Sequence, residues 1–263
     1  MKLLISSSIL GAILLLSSKA IAITPVDIEL SLLVDISGSI SASEYDMQMQ
    51  GYQAAFESER LQNAIINGTE GQIAVQLIMW SGSNQQQIMI DWSLIDSAES
   101  ANNFAQLVGD LARPFSGWTA IGSAIDFASP LFATNDYHGY QQIIDISGDG
   151  TNNAGLSVAQ ASDQAIADGV DTINGIVITE DQNVIDQYAN QVINGDSPFL
   201  LATTDFSGFQ QAIENKIVAE IEGSRPVGAI SVPAPGTNIL FAISLICIFG
   251  SRVLAKENTH ETV

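Results

Sequence analysis

The chain has 263 residues, 46% of them hydrophobic, enough apolar material for one large domain or two small ones and too much for a disordered polymer. Its 29 acidic and 8 basic residues leave a formal charge of −21, which argues against a nucleic-acid partner, because phosphate binding depends on lysine and arginine displacing counterions. Between residues 23 and 222 only Arg60, Arg113 and Lys216 are basic. Cations or a basic partner suit such a surface, and solubility in a salty exterior is the plainer account of the same charge.

Residues 1–22 read as a secretory signal: Lys2 supplies the positive start, residues 3–16 the apolar stretch, and Ala20-Ile21-Ala22 a small-x-small cleavage site, leaving Ile23 at the front of an exported chain. The sole cysteine, Cys247, has no partner for an intramolecular disulfide, so the fold must rely on its core. Residues 26–34 are rich in Ile, Leu and Val and too short for a typical helix, which predicts a strand buried on both faces. That strand runs into residues 30–43, LSLLVDISGSISAS, where Asp35, Ser37 and Ser39 place three hard oxygen ligands at its carboxyl end. Ser41 and Glu44 fit a capping box, and Tyr45, Met49, Tyr52 and Phe56 then recur at helical spacing. A helix therefore starts directly after the oxygen-rich loop.

Residues 72–80 and 87–92 predict an antiparallel hairpin turning at Ser81-Gly82-Ser83-Asn84. A helix over 97–111 leads to a glycine-containing loop, PFSGWTAIG, and a second apolar helix over 121–132. The pattern continues with a strand at 141–147 ending in Gly148-Asp149-Gly150, a helix at 158–168, a strand at 172–178, a helix at 183–192, a strand at 199–202 and a last helix from 205. Alternating strands and helices predict an α/β fold: a doubly wound, mostly parallel sheet with helices on both faces and one antiparallel edge strand. The globular domain spans 23–222 in this reading. Residues 223–236, with three prolines, read as a linker, 237–254 as a transmembrane or sorting segment with Arg252 snorkelling, and 255–263 as a polar tail.

Three loops that follow strands carry oxygen ligands in order: DISGS with Asp35, Ser37 and Ser39, WTAIG with Thr119, and SGDG with Asp149. This order resembles the metal-ion-dependent adhesion site of von Willebrand factor type A domains. Longer segments, among them DISGSISASEYDMQMQGY, FSGWTAIGSAI and IIDISGDGTNNAG, are similar to a bacterial family of exported type A domains whose function is unknown. The resemblance covers about residues 26–222. It implies a divalent cation, usually Mg²⁺ with Mn²⁺ or Ca²⁺ as substitutes, bound directly by Ser37 and Ser39, directly or through water by Thr119, and mainly through water by Asp35 and Asp149. Mg²⁺ takes six oxygens and retains waters, so a hydroxyl-rich set leaves a coordination position for a ligand's own carboxylate. Two carboxylates about 4 Å apart repel by about 4 kcal/mol at an effective dielectric of 20, a cost a cation removes. Gly148 departs from the threonine or serine common before the final aspartate in the family, so a supporting hydroxyl is missing there.

Other chemistries fit less well. Asp145-x-Ser147-x-Asp149-Gly150 opens like an EF-hand loop, but its twelfth position is Leu156 and its flank reads as strand; Asp145 is then a strand-end residue supporting the site. Past the signal the histidines are His138, in a turn-like segment, and His260, in the polar tail, which leaves no credible Ser-His-Asp triad. Trp118, beside Thr119, either presents an aromatic surface or packs that loop. The tail, with Val232-Pro-Ala-Pro-Gly236, an apolar segment and basic residues, resembles a variant of PEP-CTERM sorting signals; a plain membrane anchor is the competing reading. The resulting expectation is a non-enzymatic domain of a Gram-negative cell envelope or surface, released if its tail is processed, that binds an acidic group of a protein or glycan through its cation. A metal-dependent hydrolase, or an assembly module whose metal only stabilises the fold, are the alternatives.

Overall fold

The computed structural model describes residues 23–231. The signal-like segment, Cys247, His260 and the apolar tail with its sorting-signal resemblance lie outside the described residues. Among the described residues no helix is long and apolar enough to cross a membrane.

Eight strands form one sheet: β1 Thr24–Asp35, β2 Ile73–Trp80, β3 Gln86–Ile95, β4 Tyr137–Gly148, β5 Thr172–Ile178, β6 Asn194–Gly195, β7 Phe199–Thr203 and β8 Ile230–Ser231. Their order is β3-β2-β1-β4-β5-β7-β8, with the short β6 pairing beside β5. β2, β1, β4, β5 and β7 run parallel. β1 is central and buried along its length from Val26 because it is covered twice: Ile28, Leu30, Leu32 and Val34 face one apolar layer, and Leu33 faces the other. The first layer holds α1 (Ala42–Glu57), α2 (Glu59–Ile66), α3 (Ala98–Gly109) and α7 (Phe209–Ile221); the second holds α4 (Ile121–Ala128), α5 (Val158–Ala167) and α6 (Gln182–Gln187). The fold is the doubly wound α/β arrangement the sequence predicts.

Several local expectations are corrected. The sheet ends in an antiparallel strand at both edges, because β8 pairs with β7 as well as β3 with β2. β8 lies inside residues 223–236, read from their prolines as linker; two residues suffice for an edge pairing that leaves no periodic signal. The helix expected over 121–132 is α4 followed by a 3-10 turn, Ser129–Thr134, whose second residue is Pro130, and the missing N–H of Pro130 cannot extend an α-helical ladder. The one expected over 183–192 is α6 followed by a π turn, Tyr188–Val192, and α7 starts at Phe209 instead of 205. α2, capped by the Ser58 side chain accepting from the Leu61 N–H, was absent from the sequence reading. His138 is not in a turn: it sits exposed near the start of β4, paired with Pro25, at the far end of that strand from Asp149.

Candidate metal centre

The strand register aligns three of the loops. Asp35, last in β1, lies beside Trp80, last in β2, and Val34 beside Ser147 near the end of β4. The loops after β1, β2 and β4 therefore leave the sheet at one edge, where α/β folds place ligand crevices. The loop after β1 is short because α1 begins at once. Ser41 accepts from the Glu44 N–H at 3.3 Å while Glu44 accepts from the Ser41 N–H at 2.8 Å, the predicted capping box.

Four of the five predicted residues form one hydrogen-bonded chain. Asp35 Oδ1 accepts from the Ser37 N–H at 2.7 Å, the Ser37 and Ser39 hydroxyls lie 3.1 Å apart, and Ser39 Oγ donates to Asp149 Oδ1 at 2.7 Å. Thr119 joins from the loop between α3 and α4, so this loop follows a helix and not, as expected, a strand. Its N–H donates to Asn153 Oδ1 and its carbonyl accepts from the Asn153 and Ala154 N–H groups, which stitches it to the loop carrying Asp149. Its Oγ1 stands 3.8 Å from the position a Cβ on Gly150 would take. Asp35, Ser37 and Thr119 are buried, Asp149 is half-buried and Ser39 is exposed, so the cluster opens to solvent on the Ser39 side.

The electrostatics follow from that burial. Asp35 is fully enclosed, and desolvation together with the charge of Asp149 pushes its carboxyl up from 3.8 to about 7, against the lowering effect of the Ser37 hydrogen bonds. Burial also raises the Asp149 carboxyl, opposed by the Ser39 hydroxyl, with Glu44 adding to the rise. Asp35 Oδ2 has no hydrogen-bond partner although it is buried. Among the described residues no group of three or more His, Cys, Asp or Glu side chains is gathered as a metal cage. The donors here are two carboxylates and three hydroxyls, a set suited to a hard divalent cation and unsuited to a soft one.

Three contributors escaped the sequence reading. Arg113 clamps the β1 loop: its guanidinium donates to the carbonyls of Ile36 at 2.7 Å, Ser37 at 2.6 Å and Ile40 at 2.8 Å, and to Ser116 Oγ at 3.3 Å. Gln48 of α1 donates to the Asp35 carbonyl at 3.2 Å. Tyr188 is fully buried beside the centre, and burial and then the charges of Asp35 and Asp149 hold its hydroxyl well above the usual phenol range. Only Arg113 stood out beforehand, as one of three basic residues in the domain. Trp118, left open between surface and packing, is 70% exposed next to Thr119. Asp145 does not support the site as a strand-end residue. It points from within β4 to Lys216 of α7, whose Nζ lies 2.7 Å from Asp145 Oδ1 and 2.6 Å from Glu220 Oε1.

The fold is shared with solved structures at low sequence identity. Proximal thread matrix protein 1 from the mussel byssus, solved with a zinc-occupied MIDAS motif, superposes with a TM-score of 0.56 at 19% identity over 76% of this chain and 48% of its own. The pilus adhesin SpaC from Lactobacillus rhamnosus GG, in an open conformation, gives a TM-score of 0.55 at 14% identity over 76% of this chain and 30% of its own. A von Willebrand factor type A protein from Catenulispora acidiphila gives 0.51 at 16% over 74% and 43%. The chain thus spans about half the length of the mussel protein and less of the others. No curated protein matches it. The family model described as Protein of unknown function (DUF1194) matches residues 25–225, so the chain belongs to that family and its domain has the von Willebrand factor type A fold.

Proposed function

We propose that the domain, bounded by residues 23 and 222 with β8 added to its edge, is an exported binding module whose divalent cation receives an acidic group of a protein or glycan ligand. The observation that carries this reading is the hydrogen-bonded chain Asp35–Ser37–Ser39–Asp149, enclosed at Asp35 and open at Ser39. The residues fit a cation: Asp35 Oδ2 is a buried oxygen without a partner, and its carboxyl holds a proton far more tightly than an exposed aspartate does. Ser37, Ser39 and Thr119 would hold Mg²⁺ with their hydroxyls, and Asp35 and Asp149 would balance its charge. When bound, the cation supplies an electrophilic position to which an incoming carboxylate coordinates.

The chain's own residues do the rest. Arg113 fixes the carbonyls of the β1 loop, Gln48 holds the backbone at Asp35, and Trp118 offers an exposed aromatic face on the rim. Among the described residues the one histidine, His138, lies at the opposite end of β4, and no described histidine base stands at the centre, which favours binding over hydrolysis. Support for a surface or extracellular setting comes from the signal-like segment 1–22 and from the printed descriptions of the fold's relatives, a pilus adhesin and a byssus matrix protein. Attachment through the apolar segment 237–254 belongs to the same proposal.

The test is calorimetric titration of the purified chain with Mg²⁺, Mn²⁺ and Ca²⁺ against a chelated control. Uptake of one equivalent, lost in Asp35→Ala and Asp149→Ala, is the expected result. Absence of uptake by the unaltered chain removes the proposal, and partner capture that survives chelation transfers the cation to a purely stabilising role.

A further inference from the structure

The geometry points to Tyr188 as a positioning residue for Asp35: its phenol borders the space that Gly148 leaves without a side chain and donates to Asp35 Oδ2 through one bridging water. This rests on the cation reading above and adds to it a residue forty positions along the chain from Gly148, outside all three ligand-bearing loops.

Two buried polar atoms without hydrogen-bond partners meet at one glycine. Tyr188 Oη and Asp35 Oδ2 are both enclosed and both unpaired. A Cβ built on Gly148 would collide with the Tyr188 hydroxyl and stand 3.0 Å from Asp35 Oδ2. The phenol oxygen and the free carboxylate oxygen therefore flank the same small volume, on the side of Asp35 away from the Ser37 N–H. Leaving a donor and an acceptor both unpaired in a core is costly, and one water between them satisfies both.

The ring is aimed there by a second glycine. A Cβ on Gly175 of β5 would lie 3.3 Å from Tyr188 Cδ1, and Gly175 pairs with Ile146 of β4. Gly175 and Gly148 thus leave a track on this face of two neighbouring strands, along which the tyrosine ring lies with its hydroxyl at the Asp35 end. The π turn over Tyr188–Val192 sets the backbone from which the ring projects. A phenol carries its proton at neutral pH and so is a donor there. The arrangement supplies from the π turn after α6 the supporting hydroxyl that Gly148 itself lacks.

The experiment uses the full-length chain and four variants: Tyr188→Phe, Gly148→Ala, Tyr188→Phe with Gly148→Ala, and Tyr188→Phe with Gly148→Ser. Mn²⁺ affinity is read by calorimetry, and melting is read separately in chelator. Tyr188→Phe is expected to weaken Mn²⁺ binding about ten- to hundredfold, the usual effect of losing a partner of a metal ligand, while the chelated melting point stays near that of the unaltered chain. Gly148→Ala is expected to lower the chelated melting point, and adding Tyr188→Phe to recover it, since the nearest remaining atoms are Asp35 Oδ2 at 3.0 Å and the ring Cζ at 3.5 Å. Gly148→Ser in the Tyr188→Phe background returns a hydroxyl beside Asp35 and part of the affinity. If Tyr188→Phe melts lower in chelator, return of affinity with the serine still supports the role, and failure of that rescue overturns it. Unchanged Mn²⁺ affinity in Tyr188→Phe overturns this inference alone. Absence of Mn²⁺ uptake by the unaltered chain overturns the cation reading and this inference with it.

Discussion

The Ser39 hydroxyl donates to Asp149 Oδ1 at 2.7 Å, joining the loop after β1 to the loop after β4 across 110 residues of sequence. Neither strand end would expose its oxygen donors to the other without the parallel β1–β4 register that brings Val34 beside Ser147. The bond also shares the Asp149 charge with a hydroxyl 3.1 Å from Ser37 Oγ, so donors from both loops form one connected set.

Cation binding at this set should stabilise the folded state. At a free Mg²⁺ concentration one hundred times the dissociation constant, mass action contributes about 2.7 kcal/mol, which raises the melting point of a domain of this size by roughly 5–10 °C. Asp149→Ala removes the acceptor of Ser39 and half of the carboxylate charge, and its melting point should not respond to Mg²⁺. A variant that keeps the full response would place the cation elsewhere.

The same carboxylates set a pH dependence. Asp35 rises from 3.8 in the unfolded chain to about 7 in the fold, chiefly through burial, so the folded state holds a proton the unfolded chain has released. Without cation, this group's contribution is greatest below about pH 4 and is lost as the pH climbs to about 7. The gap corresponds to ~4 kcal/mol at roughly 1.4 kcal/mol per factor of ten in proton affinity. Saturating Mg²⁺ competes with that proton, so the stabilisation it confers should grow from pH 5 to 7 and then level off. Urea melts with and without chelator at several pH values measure it, and a pH-independent difference would mean Asp35 does not face the cation.

Arg113 should matter more than its place in an irregular loop implies. Its guanidinium satisfies the carbonyls of Ile36, Ser37 and Ile40, which shape the loop that presents Ser37 and Ser39. Arg113→Met is expected to cost about 2–4 kcal/mol, because hydrogen bonds from a charged donor are worth more than neutral ones and the carbonyls lose their partners. Arg113→Lys should recover only part, since an ammonium cannot span the same fork of acceptors. Full recovery of stability in Arg113→Lys, measured by urea denaturation, would show that charge alone, without the fork, holds the loop.

What was legible beforehand follows from how far each signal reaches along the chain. The apolar run of β1 ending at Asp35, the Ser41–Glu44 capping box and the turn between β2 and β3 are local patterns, and each appears where residues a few positions apart predict it. The order of Asp35, Ser37, Ser39, Thr119 and Asp149 is legible because each lies at or just after the end of a strand or just before a helix. Tyr188 carried no such mark: at its helical spacing it reads as core, and its hydroxyl gains meaning only because Gly148, forty residues earlier, has no side chain. β8 escaped because two residues of edge strand leave no period. Asp145 misled because its neighbours Ser147 and Asp149 mimic a calcium loop, whereas its side chain turns to the opposite layer and to Lys216.

That buried cluster supports the last prediction. Lys216 is wholly enclosed between Asp145 and Glu220, with Asn174 Nδ2 donating to the same Glu220 oxygen at 2.9 Å and the Phe199 ring 5.6 Å from the ammonium. One cation faces two carboxylates, so one of them keeps a proton. Burial raises both carboxyls; the Lys216 ammonium chiefly opposes the rise at Asp145, whereas the charge of Asp145 adds to it at Glu220, so Glu220 Oε2, which has no partner, is the oxygen expected to carry the proton. Glu220→Gln should thus be nearly neutral at pH 7, because an amide replaces a carboxyl that is already uncharged. Asp145→Asn should cost about 3–5 kcal/mol there, since it strips the ammonium of its charged partner inside the core. Lys216→Met leaves both acids buried without a cation, and its penalty should grow as the pH rises from 5 to 8 and ionisation is forced on them. Guanidinium melts of the three variants at pH 5 and 7 distinguish these outcomes. If Glu220→Gln proves as damaging as Asp145→Asn at pH 7, the proton is not on Glu220 and the assignment of charge within the core is wrong.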